Sequence, residues 1–201
     1  MSKTLIAILG VIGLLLVIAL IIVGWVTSTY NQLVSLDEMV NQAWSQVENQ
    51  YQRRYDLIPN LVETVKGYAK HEREVFTQVT EARAKVGQIT ITPEVLKDPQ
   101  AFARFQQAQD ALSSALSRLL AVAENYPQLK ANENFLQLQA QLEGTENRIA
   151  VERRRYNEVV QRYNTYIRRF PANIIAGMFG FKERPYFRAV EQAQEAPKVQ
   201  F

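Results

Sequence analysis

The chain contains no cysteine. That excludes disulfide stapling, thiol chemistry, Cys-based metal sites and lipoprotein processing. Histidine is almost as scarce: His71 stands alone. A helical zinc-protease signature needs two histidines on one face, so His71, with Glu72 beside it, reads as a polar surface residue. No glycine-rich phosphate loop is present, and no serine sits in a nucleophile elbow. Adjacent carboxylates such as Asp37 and Glu38 point to different sides of a helix and make no acid–base pair. The formal net charge is only +3, too small for the basic patch of a nucleic-acid binder. These absences remove the common enzyme, metalloprotein and nucleic-acid classes. No catalytic, metal or cofactor residue is assigned, and neither a small-molecule substrate nor a nucleic acid is expected as a partner.

Charge is also missing from Leu5 to Val26, where Leu, Ile and Val dominate. At about 1.5 Å per residue such a run crosses the hydrocarbon core as one helix. Its apolar core is longer than that of a cleaved signal peptide. Trp25 and Tyr30 follow it and suit an interfacial belt. Gly10, Gly13 and Gly24 are not spaced as a helix-dimer motif. Lys3 precedes the run; beyond it Asp37, Glu38 and Glu48 come before the first basic residue, Arg53. The positive-inside rule then keeps the N-terminus in the cytoplasm and the large domain on the extracytoplasmic side. The expected divisions are a flank at 1–4, a transmembrane helix at 5–26, a helical bundle at 27–187 and a polar, frayed tail at 188–201.

The aqueous part reads as helix throughout. Leu36, Val40, Ala43, Val47 and Tyr51 step by three or four residues, and Ile58, Leu61, Val65, Val75, Val79 and Val86 continue the pattern. The register survives Pro59, which predicts one long helix bent at the proline, ending near Gly87. Residues 88–97 read as a connector, with an extended piece at 89–92 covering a bundle end. Asp98-Pro99 marks the start of a second helix, which stops near Pro127. A third helix runs from about Ala131 to Pro171, and the apolar segment 172–181 forms a short fourth. The class is therefore all-α: a single N-terminal transmembrane helix, then an elongated up-down bundle of three long helices plus a short fourth. In this layout the first and third helices lead away from the membrane, so segment 172–181 packs on the distal end of the rod.

Two polar clusters interrupt the apolar faces. One is Arg53-Arg54 with Asp56, Pro59, Asn60 and Glu63; Asp56 and Asn60 are placed to serve the backbone groups that Pro59 leaves open. The other is Glu146-Asn147-Arg148, followed by Arg153, Arg154 and Arg155, which fan around the helix as a solvated face. Arg54, Glu63, Glu146 and Asn147 are expected to form an interhelical network that sets helix register. If buried, Asn60 and Glu146 would each cost about 1–3 kcal/mol on truncation to Ala.

The stretch Arg53-Arg54-Tyr55-Asp56-Leu57-Ile58-Pro59-Asn60-Leu61-Val62, with Gly67-Tyr68-Ala69 and His71-Glu72, resembles the signature of the LemA family. Thr145-Glu146-Asn147-Arg148-Ile149-Ala150, Arg154 and Tyr156-Asn157, and the ending from Phe170-Pro171-Ala172-Asn173 to Tyr186-Phe187, match in the same order. The resemblance covers the chain from the anchor to Phe187. It implies a bacterial membrane protein with an N-terminal anchor and a helical bundle, without a catalytic residue to carry over. Association of some relatives with magnetosome membranes, and the encoding of others near membrane proteases or stress systems, implies a role in envelope or membrane organisation. The expectation is a non-enzymatic, self-associating scaffold or adaptor in the inner membrane, with the lipid bilayer and further copies as partners. The alternative is a regulatory subunit of a membrane enzyme such as a quality-control protease.

Overall fold

The computed structural model describes residues 3–89 and 93–188. Among these residues the regular structure is helical throughout. Helix α1 spans Lys3–Tyr68, which corresponds to ~99 Å of continuous helix. Its N-terminal part is long and apolar enough to cross a membrane: a window of 18 residues reaches a mean hydropathy of 3.0 with none of it buried. Beyond this part Val62 is buried beside Leu61, and the buried stripe itself consists of Thr29, Leu33, Leu36, Val40, Trp44, Val47, Tyr51, Arg54, Ile58, Leu61 and Val65. They follow one another by three or four residues, so a single stripe faces the bundle along the whole shaft.

The helix continues through Pro59 and ends at Tyr68. At Ala69–Glu72 the chain turns, with the Ala69 N–H bonded to Val65 O at 2.9 Å and the Glu72 N–H to Ala69 O at 3.1 Å. Helix α2, Arg73–Gln88, then runs back along α1, bringing Arg83 to Tyr55. The expectation of one bent helix through Val86 is thereby corrected. The apolar register persists because both arms of the hairpin face one core, not because the helix is unbroken. Gly87 is also not the stop: α2 ends at Gln88 with Ile89 as its cap. A Cβ on Gly87 would sit 3.0 Å from the Tyr55 hydroxyl, so glycine here permits close approach to α1.

A short 3₁₀ turn at Pro93–Leu96 follows; of the expected extended piece at 89–92, residues 90–92 lie outside the described residues. Ile89, Val95 and Leu96 pack on the core nearer the apolar segment, where α2 does not reach. Helix α3, Pro99–Ala123, begins as expected, with Asp98 accepting from the Gln100 N–H at 2.8 Å and proline in its first turn. It runs parallel to the shaft: Phe105 meets Trp44 and Tyr51, and the Tyr126 hydroxyl just past its end reaches Glu72. The single turn α4, Pro127–Lys130, reverses the chain. Helix α5, Glu133–Arg168, starts at Asn132, whose side chain accepts from the Phe135 N–H at 3.0 Å.

Helix α5 is antiparallel to α1, and this pair makes the largest interhelical contact. Asn132 meets Tyr68, Glu146 meets Arg54, and Tyr156 meets Trp44. Helix α6, Ala172–Phe179, therefore returns to the start of the shaft, where the Phe179 ring lies 4.7 Å from the Tyr30 ring. The placement of segment 172–181 at the distal end is thus wrong. The missed hairpin at 69–72 adds one reversal and sends every later helix the opposite way. Gly180, at φ 75°, closes α6 in the left-handed conformation that glycine adopts without a Cβ penalty.

The interior divides into two apolar clusters. The proximal one centres on Trp44, Phe102, Phe105, Tyr156 and Phe187; the distal one on Ile58, Leu61, Val79, Leu119 and Phe135. Polar side chains separate them.

Candidate functional site

Arg54 occupies a step of the α1 stripe where an apolar residue was due, and only 1% of it is exposed. One guanidinium nitrogen, Nη1, donates to Glu146 Oε1 at 2.8 Å and to Ser113 Oγ at 2.6 Å. The other, Nη2, donates to the side-chain and backbone oxygens of Gln109. The guanidinium also lies 5.1 Å from the centre of the Tyr51 ring. One side chain from α1 thus ties together α3 and α5. A buried cation is costly to desolvate, and these acceptors offset that cost only in one axial and rotational register.

A second arginine extends the layer. Arg153 Nε donates to the Tyr51 hydroxyl at 2.6 Å, and Nη2 pairs with Asp110 at 3.1 Å. Its guanidinium faces the Phe187 ring at 4.9 Å. Burial raises the Tyr51 pKa, opposed by the neighbouring Arg153 charge. The sequence reading of three solvated arginines therefore holds for Arg154 and Arg155, which are exposed, and fails for Arg153.

The third feature is the segment after α6. Residues 181–188 are neither helix nor strand, so beyond the Phe181 N–H, which bonds Ala176 O at 2.9 Å, their backbone groups need other partners. Side-chain amides supply them. Asn164 donates to Arg184 O and accepts from the Arg184 N–H, both at 2.9 Å. Asn157 makes the same pair of bonds with Phe187, both at 2.9 Å. Gln106 grips Arg188 likewise, at 2.7 and 3.2 Å. Tyr156 and Tyr163 donate their hydroxyls to Pro185 O and Lys182 O at 3.2 and 3.0 Å. The Arg184 side chain reaches back to Asp37 on α1 at 2.6 Å, and Phe187 inserts among Trp44, Phe102 and Tyr156. The strap thus fills the proximal half of the bundle, which α2 leaves uncovered.

The structure joins some of the expected residues and separates others. Arg54 and Glu146 meet, whereas Glu63 is exposed and pairs with Lys66 on its own helix at 2.8 Å. Asn147, Arg148, Arg53 and Asn60 are exposed, and Asp56 accepts from Gln52 at 2.8 Å. Neither Asp56 nor Asn60 serves the carbonyl freed by Pro59. That carbonyl, Tyr55 O, accepts from Arg83 Nε at 3.3 Å, while the Arg83 guanidinium covers the Tyr55 ring at 3.8 Å. Gly67 and His71 are exposed beside the hairpin turn, where half-buried Glu72 accepts from the Tyr126 hydroxyl at 3.1 Å. Phe170 and Pro171 are exposed just before α6 and are joined by a cis peptide bond. Sequence reasoning missed Gln109, Ser113, Asp110, Asp37, Asn164 and Arg184. The available signal was a polar residue on an apolar stripe, as at Gln109 and Asn164.

Chemically the arrangement locks groups in place. Burial pushes the hydroxyls of Tyr156 and Tyr163 upward, Tyr163 to about 12, so both are neutral donors at physiological pH. No group of three or more His, Asp or Glu residues placed to hold a metal occurs among the described residues.

A helix long and apolar enough to span a membrane, continuous with a bundle held by a buried arginine layer and a strapped C-terminal segment, defines a class of helical-bundle proteins with an N-terminal apolar helix. The LemA family model matches residues 43–201, most of the chain, and the protein belongs to the LemA family. It is similar to "Magnetosome protein MamQ 2" of Paramagnetospirillum magneticum, with 30% identity over 196 residues, 90% of this chain and 71% of the relative. Magnetosome protein MamQ of Magnetospirillum gryphiswaldense is 28% identical over 89% of this chain and 73% of its own length. Protein LemA of Metamycoplasma hominis is 25% identical over 84% of this chain and 71% of its own length.

Proposed function

We propose that this protein is a non-catalytic, membrane-anchored scaffold or adaptor that associates laterally with its own copies and organises the membrane in which it sits. The observation that carries this reading is the continuity of α1: the apolar segment and the bundle seam are one helix, Lys3–Tyr68. A span joined to its domain without a tether transmits orientation, so copies gathered in a bilayer present their bundles in one pose. The buried charges support a structural role, since Arg54, Arg153 and Arg184 are all engaged in bonds between separate parts of the fold. The magnetosome names of two relatives bring membrane organisation to this chain as context.

Cross-linking in native membranes at native expression, resolved by size, tests the proposal. The expected product is a ladder of dimers and higher forms; a strictly monomeric species overturns self-association. The charge distribution around the span supports an inner-membrane topology with the N-terminus in the cytoplasm and the bundle outside. Protease added to spheroplasts should then digest the bundle, and protection of the bundle there would reverse the sidedness.

A further inference from the structure

We propose that α6 and its flanks form a second membrane contact, in which Phe170, Ile174, Met178 and Phe179 enter the boundary between headgroups and acyl chains. Arg168, Arg169 and Lys182 meet the lipid phosphates. The inference rests on the reading of α1 as a membrane span, and the occupant it commits to is the bilayer that α1 crosses.

Depth is the first argument. The apolar run ends at Val26, and Tyr30 stands one turn later, ~6 Å along the helix. The headgroup region beyond the hydrocarbon core is itself about 5–7 Å thick on each side. The Tyr30 ring lies 4.7 Å from that of Phe179 and 6.0 Å from that of Phe181. Helix α6 is therefore held at the level of the headgroups by direct contact with α1 one turn beyond the apolar run. Val26, the last residue of the run, packs against the same cluster that takes up Ile175 and Ala176.

The second argument is the division of α6 into two faces. Ala172, Ile175 and Ala176 are buried on the bundle. Ile174 and Phe179 are about half exposed, Met178 is 72% exposed, and Phe170 is 81% exposed. No other described large hydrophobic side chain of the bundle reaches the exposure of Phe170 or Met178; Phe179 and Ile174 come next, and only then Leu136, on α5. Isolated apolar residues on a surface are ordinary, but four gathered at one end beside a membrane span form a patch that needs a cover. An interfacial helix buries such a face by several ångströms while its polar flanks stay in water.

The charges have the matching sign. Arg168 and Arg169 precede α6 and Lys182 follows it, all three exposed. The acids nearby are Glu183, 3.7 Å from Arg168, and Asp37, which is already paired with Arg184 at 2.6 Å. Cations flanking an apolar face meet phosphates without burying their charge. A lipid surface, unlike a protein groove, accepts this combination along one plane.

The absence of cysteine makes the test direct, because single cysteines can be labelled with an environment-sensitive fluorophore. Met178→Cys, Leu16→Cys and Lys130→Cys are prepared in the full chain, in one-copy nanodiscs of phosphatidylcholine and phosphatidylglycerol. Quenching by lipids carrying a spin label at shallow or deep positions is then measured. The expected result is deep quenching at Leu16, shallow quenching at Met178 and little at Lys130, with several-fold more at Met178 than at Lys130. Quenching at Leu16 without quenching at Met178 overturns this inference and leaves the span intact. A label at Met178 that is shielded from aqueous iodide yet insensitive to lipid quenchers indicates a protein cover and also overturns it. Absence of quenching at Leu16 overturns the span itself and this inference with it.

Discussion

At the scale of single residues, the chain places polar groups where packing alone would put apolar ones, and each answers a specific backbone or charge demand. Pro59 has no N–H and leaves the carbonyl four residues earlier without its helical donor; Arg83 fills that role for Tyr55. Arg83→Ala should therefore destabilise the bundle by about 1–2 kcal/mol. The loss should shrink when Pro59→Ala restores the helical N–H. Urea denaturation of the four-member mutant cycle measures the coupling, and additive losses would remove the pairing. Arg54→Ala strands Glu146, Gln109 and Ser113 and opens a cavity, for an expected loss of about 3–5 kcal/mol. Glu146→Ala should cost about 1–3 kcal/mol, since Glu146 is partly exposed and Arg54 keeps its other acceptors. Asn60 is exposed, so the condition for a large loss is unmet and Asn60→Ala should stay within about 0.5 kcal/mol.

At the scale of elements, the strap after α6 is the part that depends most on side chains. Its backbone is held by Asn157, Asn164 and Gln106 in place of a neighbouring strand. The double variant Asn157→Ala, Asn164→Ala should leave α1 and α5 helical but raise amide exchange at Arg184 and Phe187 by an order of magnitude or more, at about 1.4 kcal/mol per tenfold. Hydrogen exchange read by mass spectrometry resolves this, and unchanged protection at both amides would show that the Phe187 anchor suffices. The same element explains part of the resemblance. Asn157 and Tyr156 belong to the matched pattern, and both bind the backbone of the matched C-terminal segment. The alternation of helices was legible from Asp98-Pro99, Pro127 and the apolar spacing. The hairpin at Ala69–Glu72 was not, because Gly67 is an inconspicuous signal and the apolar period runs through the turn undisturbed.

At the scale of the molecule, two cores share one shaft, and the proximal one carries the buried tyrosines. Tyr163 has an ordinary pKa of 10.0 and is raised to about 12 in the fold, mainly by burial. Its contribution to stability is full below pH 10, where the hydroxyl is protonated in both states. Between pH 10 and about 12 the unfolded chain loses its proton first, so stability falls as pH rises. Tyr163→Phe should flatten that alkaline decline even if it lowers stability at neutral pH by removing the bond to Lys182 O. Thermal melts across the alkaline range decide the matter, and an identical slope in both proteins would place the decline elsewhere.

The sequence by itself determined the membrane-length apolar segment, the all-helical class, the cap of α3, the start of α5 near Ala131 and the polar interruption at Arg54, since each follows from local spacing and composition. Only the tertiary structure decided the direction of each helix after Tyr68. It also decided that Arg153 is half-buried while Arg154 is not, and that α6 returns to the end of the apolar segment. The physical reason is that periodicity reports which face of a helix is apolar but not the sense in which the helix runs. One turn of four residues reverses everything downstream without changing any pattern upstream.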